Sequence, residues 1–221
     1  MSDRIETLIA PIRDSPFLPE IADRLSRELA EETLRRAKLY EEITPEQKVE
    51  FIDGEVILHS PARNVHLDAT LNISQLLSYF ARMHRLGEVK VEKCLCVFPR
   101  NDYEPDIVFF GKAKCAAFAA DTVKFPIPDF VVEVLSESTE ARDRGVKFED
   151  YAAHGVGEYW IVDAERETVE QYLMRDGAYV LEMKGSTGEI HSQVISGFAT
   201  PVRAFFNAEE NLSALQKLLN E

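Results

Sequence analysis

The sequence predicts an α/β fold with a mixed central sheet flanked by helices, and three observations support it. FVVEVLS at residues 130–136 is an apolar run interrupted by one carboxylate, the pattern of a strand buried on both faces. VEFI, Asp53-Gly54 and EVILHS form a hairpin signal, because Asp-Gly accepts the positive φ angles of a two-residue turn. Helical apolar spacing recurs over residues 20–43 and 64–86, on either side of that hairpin.

Residues 1–19 contain Pro11, Pro16 and Pro19 and little periodicity, so an irregular arm is expected there. Ile21, Leu25, Leu29, Leu34 and Ala37 then outline an apolar stripe on a helix, with Pro19 suited to its start and Pro45 to its stop. Residues 1–44 are read as an N-terminal arm and helix, and 45–221 as one domain. Asn64 is the expected cap of a helix reaching Leu86. Its core face is sketched by Leu67, Leu71, Ser74, Leu77 and Met83, widened by Ile73, Leu76 and Phe80, and Gly87 supplies the stop.

EVKVEKCLCVF at 88–98 reads as one strand and PDIVFFG at 105–111 as the next, followed by a connection at 112–128 that holds a short helix. Ser136, Ser138 and Thr139 offer caps for a helix on which Asp143, Lys147 and Tyr151 are spaced four apart and share one face. Gly155 ends it. EYWIVD, ETVEQYLM, AYVLEMK and EIHSQVISG follow as a strand meander, with turns at Arg175-Asp176-Gly177 and Ser186-Thr187-Gly188. FNAEENLSALQKLLNE closes as a helix.

A chain of 221 residues that is 45% hydrophobic can bury one sizeable core. No apolar run approaches the ~20 residues of a membrane span. The N-terminus lacks the basic start, apolar block and cleavage site of a signal peptide, so a cytoplasmic location is expected. Cys94, Cys96 and Cys115 have no His or Cys partner at zinc-finger spacing and are read as reduced, packed side chains. The formal net charge of −14 weighs against a polyanionic partner, since nucleic-acid affinity rests on Lys and Arg. Local clusters offset it: Arg82, Arg85, Lys90, Lys93 and Arg100, then Arg142, Arg144 and Lys147. There is no P-loop, nucleophile elbow, dinucleotide fingerprint or H-E-x-x-H.

The chemistry concentrates between residues 104 and 163. Asp106 opens one apolar strand run, Glu133 sits inside another, and Lys147 lies on the helix that follows. A carboxylate inside a buried strand is costly unless it is paired or bound to a cation. Two such carboxylates can hold a hard cation through oxygen. That cation activates water and neutralises charge at phosphorus, and a lysine can orient the water or offset developing charge.

VEFIDGEVILHSP, His66, EPDIVFFG, PDFVVEVLSEST, RDRGVKFEDYAAHGVGEYWIVD and VEQYLM fall in one order. That order resembles the Uma-two family of restriction endonucleases, within the PD-(D/E)XK nuclease superfamily, over residues 45–179. The resemblance implies a restriction-endonuclease-like domain that hydrolyses phosphodiester bonds, most directly in DNA, with Mg²⁺ or Mn²⁺ held by Asp106 and Glu133. The superfamily motif has a lysine two residues after the second acid, where this chain has Leu135. The family's lysine on the next helix corresponds to Lys147, expected on the rim of the site. Glu50 and His66 also match family positions and are expected to take part, Glu50 near the metal and His66 near phosphate or water. A homodimer through the helix at 20–43 is the simplest way to present two sites to two strands. Two rival readings stand beside this one: a non-catalytic nuclease-fold binding module, and a metal-dependent hydrolase of a small phosphate or nucleotide.

Overall fold

The computed structural model describes residues 2–44 and 46–220. Two sheets are built from strands that leave and re-enter each other's neighbourhood along the chain. The larger has six strands: β3 (Gly87–Val91), β6 (Ile107–Gly111), β8 (Phe130–Val134), β9 (Glu158–Asp163), β10 (Thr168–Arg175) and β11 (Ala178–Gly185). Their order is β11-β10-β9-β8-β6-β3, with β8 and β9 parallel and the other pairs antiparallel. The smaller sheet has the order β2-β1-β5-β4-β7. Its strands are β1 (Val49–Ile52), β2 (Glu55–Leu58), β4 (Leu95–Val97), β5 (Asp102–Tyr103) and β7 (Lys124–Phe125). A third pair, β12 (Glu189–His191) and β13 (Ala199–Pro201), stands apart.

The expected central strand is central. All five residues of β8 are buried, between β9 and β6. One face of the large sheet, including Ile107, Phe109, Phe130, Val132 and Trp160, packs with α3 (Asn64–Met83), the 3₁₀ turn at Val202–Phe205 and α7 (Ala208–Leu219). The other face, with Val108, Phe110, Val131, Tyr159 and Ile161, packs with Cys94, Cys96, Phe98 and Tyr103 of the small-sheet region and with Tyr151 of α6 (Val146–Ala153). Two-residue alternation puts Glu133 on this second face with Val131.

Several elements differ from their sequence expectation for identifiable reasons. Residues 2–13 form a helix, α1 (Ser2–Arg13), rather than an irregular arm, and it stops two residues after Pro11. α2 (Leu18–Glu42) starts on Pro19 as expected, while its stop signal, Pro45, lies outside the described residues. The α2 stripe is not covered: Leu25, Leu29 and Leu34 are exposed and only Leu39 is buried. Polar anchors hold the helix down instead. Arg36 pairs with buried Asp102 and bonds the carbonyls of Phe98, Pro99 and Asn101.

α3 begins after Arg63, so Asn64 is its first residue and not its cap. Its buried face is His66, Ala69, Thr70, Ile73, Leu76, Leu77, Phe80 and Ala81, while Leu67, Leu71 and Met83 are exposed. The residues expected to widen the face are its centre. The helix ends at Met83 through Arg85 in the left-handed region (φ 53°), and Gly87 opens β3. The run at 88–98 is two strands, not one. Glu92 and Lys93 take φ of 43° and 51°, and this kink carries the chain from β3 in the large sheet to β4 in the small one. The Asp53-Gly54 and Asp176-Gly177 turns have the positive φ pairs their sequences call for.

The separate β12–β13 pair is tied to the large sheet by core packing of Ile190 and Phe198, by the Gln171 Nε2 bond to the His191 carbonyl at 2.7 Å, and by one carboxylate. Glu158, fully buried at the start of β9, accepts from Trp160 Nε1 at 2.6 Å and Gln171 Nε2 at 2.7 Å through Oε1. Its Oε2 accepts from Ser192 Oγ and the backbone N–H groups of Gln193 and Val194 at 2.8–3.0 Å. Glu158→Ala strands these donors, so it is expected to lower the unfolding free energy by about 3 kcal/mol or more in urea titration. Glu182→Ala, which removes an exposed pair with Arg175, should stay within about 0.5 kcal/mol of the parent.

Candidate active-site cleft

A cleft of about 1000 Å³ opens where β8 and β9 end and β6 begins. Its lining includes Lys48, His59, His66, Glu92, Asp106, Glu133 and Lys147. Asp106 immediately precedes β6. The β6–β8 register pairs Ile107 with Val132, and carried one residue further it opposes Asp106 to Glu133 on the same face of the sheet. Both carboxylates are buried.

Their partners differ. Asp106 Oδ2 accepts the backbone N–H of Val134 at 2.9 Å. Its Oδ1 faces Lys48 Nζ at 2.8 Å and His66 Nε2 at 3.4 Å. Burial would raise the Asp106 pKa, but the His66 hydrogen bond and the Lys48 charge outweigh it and hold the carboxyl well below its usual range. For His66, burial opposes the charged form, and Asp106 more than restores it, so its pKa is raised.

Glu133 Oε1 accepts from Lys147 Nζ at 3.0 Å and from Tyr151 Oη at 2.8 Å. Lys147 is also 2.9 Å from Glu50 Oε1 and 3.2 Å from Asp143 Oδ1. The shared face of Asp143, Lys147 and Tyr151 survives although the chain breaks at Gly145, between α5 (Glu140–Asp143) and α6. Lys147 is not a rim residue: its side chain is 2% exposed, walled in by carboxylates that keep it charged. One ammonium cannot compensate three buried carboxylates. Glu50 is lowered to about 2, because Lys147 and His59, the latter 3.0 Å away, overcome its burial. Glu133 bears the excess. Burial raises it, the charges of Asp143, Asp106 and Glu50 add to that, and it is pushed up to about 8 despite Lys147.

Lys48, Glu92 and His59 were not singled out from sequence. Lys48 lies two residues before Glu50, and that strand spacing was a usable signal, since i and i+2 face the same way. Glu92 gave no signal, because its place opposite Asp106 depends on how β3 and β6 pair. His66, Glu92 and Asp106 offer ligand atoms that all lie within 4.8 Å of one another, a group that could hold a metal ion.

The local basic clusters that offset the net acidity in the sequence lie mostly away from the cleft. Arg82 lines a different groove, Lys90 pairs with Glu88, Arg100 with Glu32 and Asp53, and Arg144 with Glu140 and Glu170. Of that set apart from Lys147, Lys93 alone lines the cleft, where Arg63 and Arg166 join it among Glu46, Glu92, Glu137, Glu140 and Glu165.

A mixed sheet covered on both faces, with Asp106 and Glu133 opposed at the end of its central strands, is an α/β architecture compatible with a restriction-endonuclease-like fold. The chain belongs to the Uma2 family, described as "Putative restriction endonuclease", which matches residues 31–204 and so takes in the second half of α2. Among solved structures it is similar to a "putative nuclease belonging to DUF820" from Anabaena variabilis ATCC 29413. The TM-score is 0.65 and the identity 16%, over 80% of this chain and 96% of that one, which shows a shared fold. No curated protein matches the chain.

Glu133 also sets a pH signature. Its folded pKa of about 8 lies above the ordinary 4.5, so between those values the folded protein keeps a proton that the unfolded chain has released. That contribution to stability is complete below pH 4.5 and is lost as pH rises through 8. Glu133→Gln keeps an acceptor for Lys147 and Tyr151 but cannot ionise. Its Tm should therefore fall less than the parent's from pH 5 to pH 8.5, as measured by calorimetry. Parallel curves would show that Glu133 ionises without strain.

Proposed function

We propose that this protein is an Mg²⁺- or Mn²⁺-dependent endonuclease that hydrolyses phosphodiester bonds, with DNA as its substrate in the cytoplasm. One observation carries the reading: Asp106 and Glu133 are opposed on the floor of the cleft toward which His66 and Glu92 also converge. Carboxylate oxygens suit either cation, and an imidazole beside them favours Mn²⁺. When bound, the cation would activate water and neutralise charge at phosphorus.

In this reading Asp106 offers Oδ1, while Val134 fixes its other oxygen. Glu133 stands beside it as the second carboxylate, oriented by Tyr151 and Lys147. Glu50 acts one step back, by holding Lys147. His66 completes the ligand group or meets a phosphate oxygen. Arg63, Lys93 and Arg166 receive the substrate backbone, and they share the rim with acids, so phosphate binding leans on the cation. The same rim favours a second reading, hydrolysis of a smaller phosphate that needs no basic groove.

Plasmid and single-stranded DNA incubated with Mn²⁺ test the first reading. Cleavage should appear, stop with chelator, and fall at least about 100-fold in Asp106→Asn. Cleavage of nucleotides alone would favour the second. Equal cleavage by Asp106→Asn would remove Asp106 from the site.

A homodimer belongs to the same proposal, supported by the uncovered Leu25, Leu29 and Leu34 of α2. Light scattering is expected to give twice the chain's 25.1 kDa, and Leu25→Lys with Leu29→Lys to give the monomer. A monomeric parent would exclude it. Among the described residues, no helix is long and apolar enough to cross a membrane.

A further inference from the structure

The cleft contains two lysines in opposite situations. Lys147 is 2% exposed and held by Glu50, Glu133 and Asp143, so it has no free side to offer a substrate. Lys48 is 19% exposed, lines the cleft, and reaches in from the residue before β1. Its ammonium is 2.8 Å from Asp106 Oδ1 and 3.5 Å from Glu92 Oε2.

Those acids are two of the three residues able to hold a metal ion with His66. Asp106 Oδ2 already accepts the Val134 N–H, and Oδ1 faces the cleft with Lys48 on it. A divalent cation between Asp106 and Glu92 and the ammonium of Lys48 therefore compete for the same negative charge and the same space. A lysine is a compact charge on a flexible four-carbon stem, so it can leave without disturbing the strand that carries it. A lysine expelled from Asp106 into a cleft that admits phosphate would find its next counter-ion there.

We infer that Lys48 is the exchangeable cation of this site: it rests on Asp106 until a divalent ion takes Oδ1, and is then released to contact the phosphate. Lys147 is the fixed cation and holds the acids in place. The phosphate half of this inference rests on the phosphodiesterase reading, whereas the exchange at Asp106 does not.

Mn²⁺ affinity, measured by calorimetric titration of the purified chain, tests the exchange without any substrate. Lys48→Gln removes the competitor and should bind Mn²⁺ about tenfold tighter than the parent. Lys48→Arg keeps the charge and should stay within about threefold of the parent. Equal or weaker binding by Lys48→Gln, including no binding by either protein, would overturn the exchange. Amine labelling of the parent chain, read by mass spectrometry, covers the case in which the variants fold poorly. Mn²⁺ should raise acetylation of Lys48 and leave Lys147 unlabelled, and an unchanged or reduced Lys48 signal would overturn the proposal.

Cleavage at saturating Mn²⁺ tests the phosphate contact. Lys48→Gln should lose about 100-fold in kcat/KM despite its tighter metal binding. Full cleavage by that variant would overturn the contact. A parent that binds Mn²⁺, shows the labelling change and cleaves no phosphodiester would refute the nuclease reading and the phosphate contact while supporting the exchange.

Discussion

One ammonium surrounded by three buried carboxylates joins the parts of this molecule. Glu50 belongs to β1 of the small sheet, Glu133 to β8 of the large sheet, and Asp143 to the short helix that follows. Lys147 touches all three from α6. The sheets are also joined by the Lys48–Asp106 pair and by apolar packing, in which Cys96, Phe98 and Tyr103 meet Val108, Val131 and Tyr159. Apolar packing is non-directional and tolerates sliding. A shared ammonium is directional, so it fixes the register in which β1 and β8 face each other.

This arrangement is not an economical way to stabilise a protein. Breaking a buried ion pair by removing one member costs about 3–5 kcal/mol, yet replacing the whole pair with apolar residues is often neutral or favourable. The cluster also carries more acid than base, and Glu133 pays with a pKa near 8. Such an excess makes physical sense if another positive charge joins the site. Asp106 shows the same logic, with Lys48 and His66 on Oδ1 and the Val134 N–H on Oδ2. Strained carboxylates at the open end of a sheet are where a fold gives up stability for chemistry.

Much of this was legible in the sequence, and the reasons are physical. An apolar strand is read from composition, so β8 with Glu133 inside it was visible. The Asp-Gly turns were visible because so few residues accept positive φ. What stayed hidden depended on tertiary position. The face of α3 was misjudged because Leu67, Leu71 and Met83 are as apolar as Ile73 and Leu76, and spacing alone cannot say which set the sheet covers. The single run at 88–98 hid a kink at Glu92–Lys93, residue types that rarely adopt the left-handed conformation. The closeness of Lys147 to Asp143 was legible from their spacing, but its burial was not: a lysine four residues from an aspartate looks the same on a rim as in a core.

The pairing of β3 with β6 decides where Glu92 lies. It runs up to Val91 opposite Ile107, so the next step of the ladder sets Glu92 opposite Asp106. The Glu92 N–H bonds the carbonyl of Asp106 at 3.2 Å, and the chain turns there with a φ of 43°. That backbone bond sets Glu92 beside the carboxylate of the same residue, and Lys48 enters from the other sheet to neutralise both. Asp106, Glu92 and Glu133 thus come from three different places: the residue before β6, the kink after β3, and the regular ladder of β8. Strand periodicity finds the last of these. The other two arise where the ladder stops and backbone groups must find other partners, which is also where a sheet has room for a substrate.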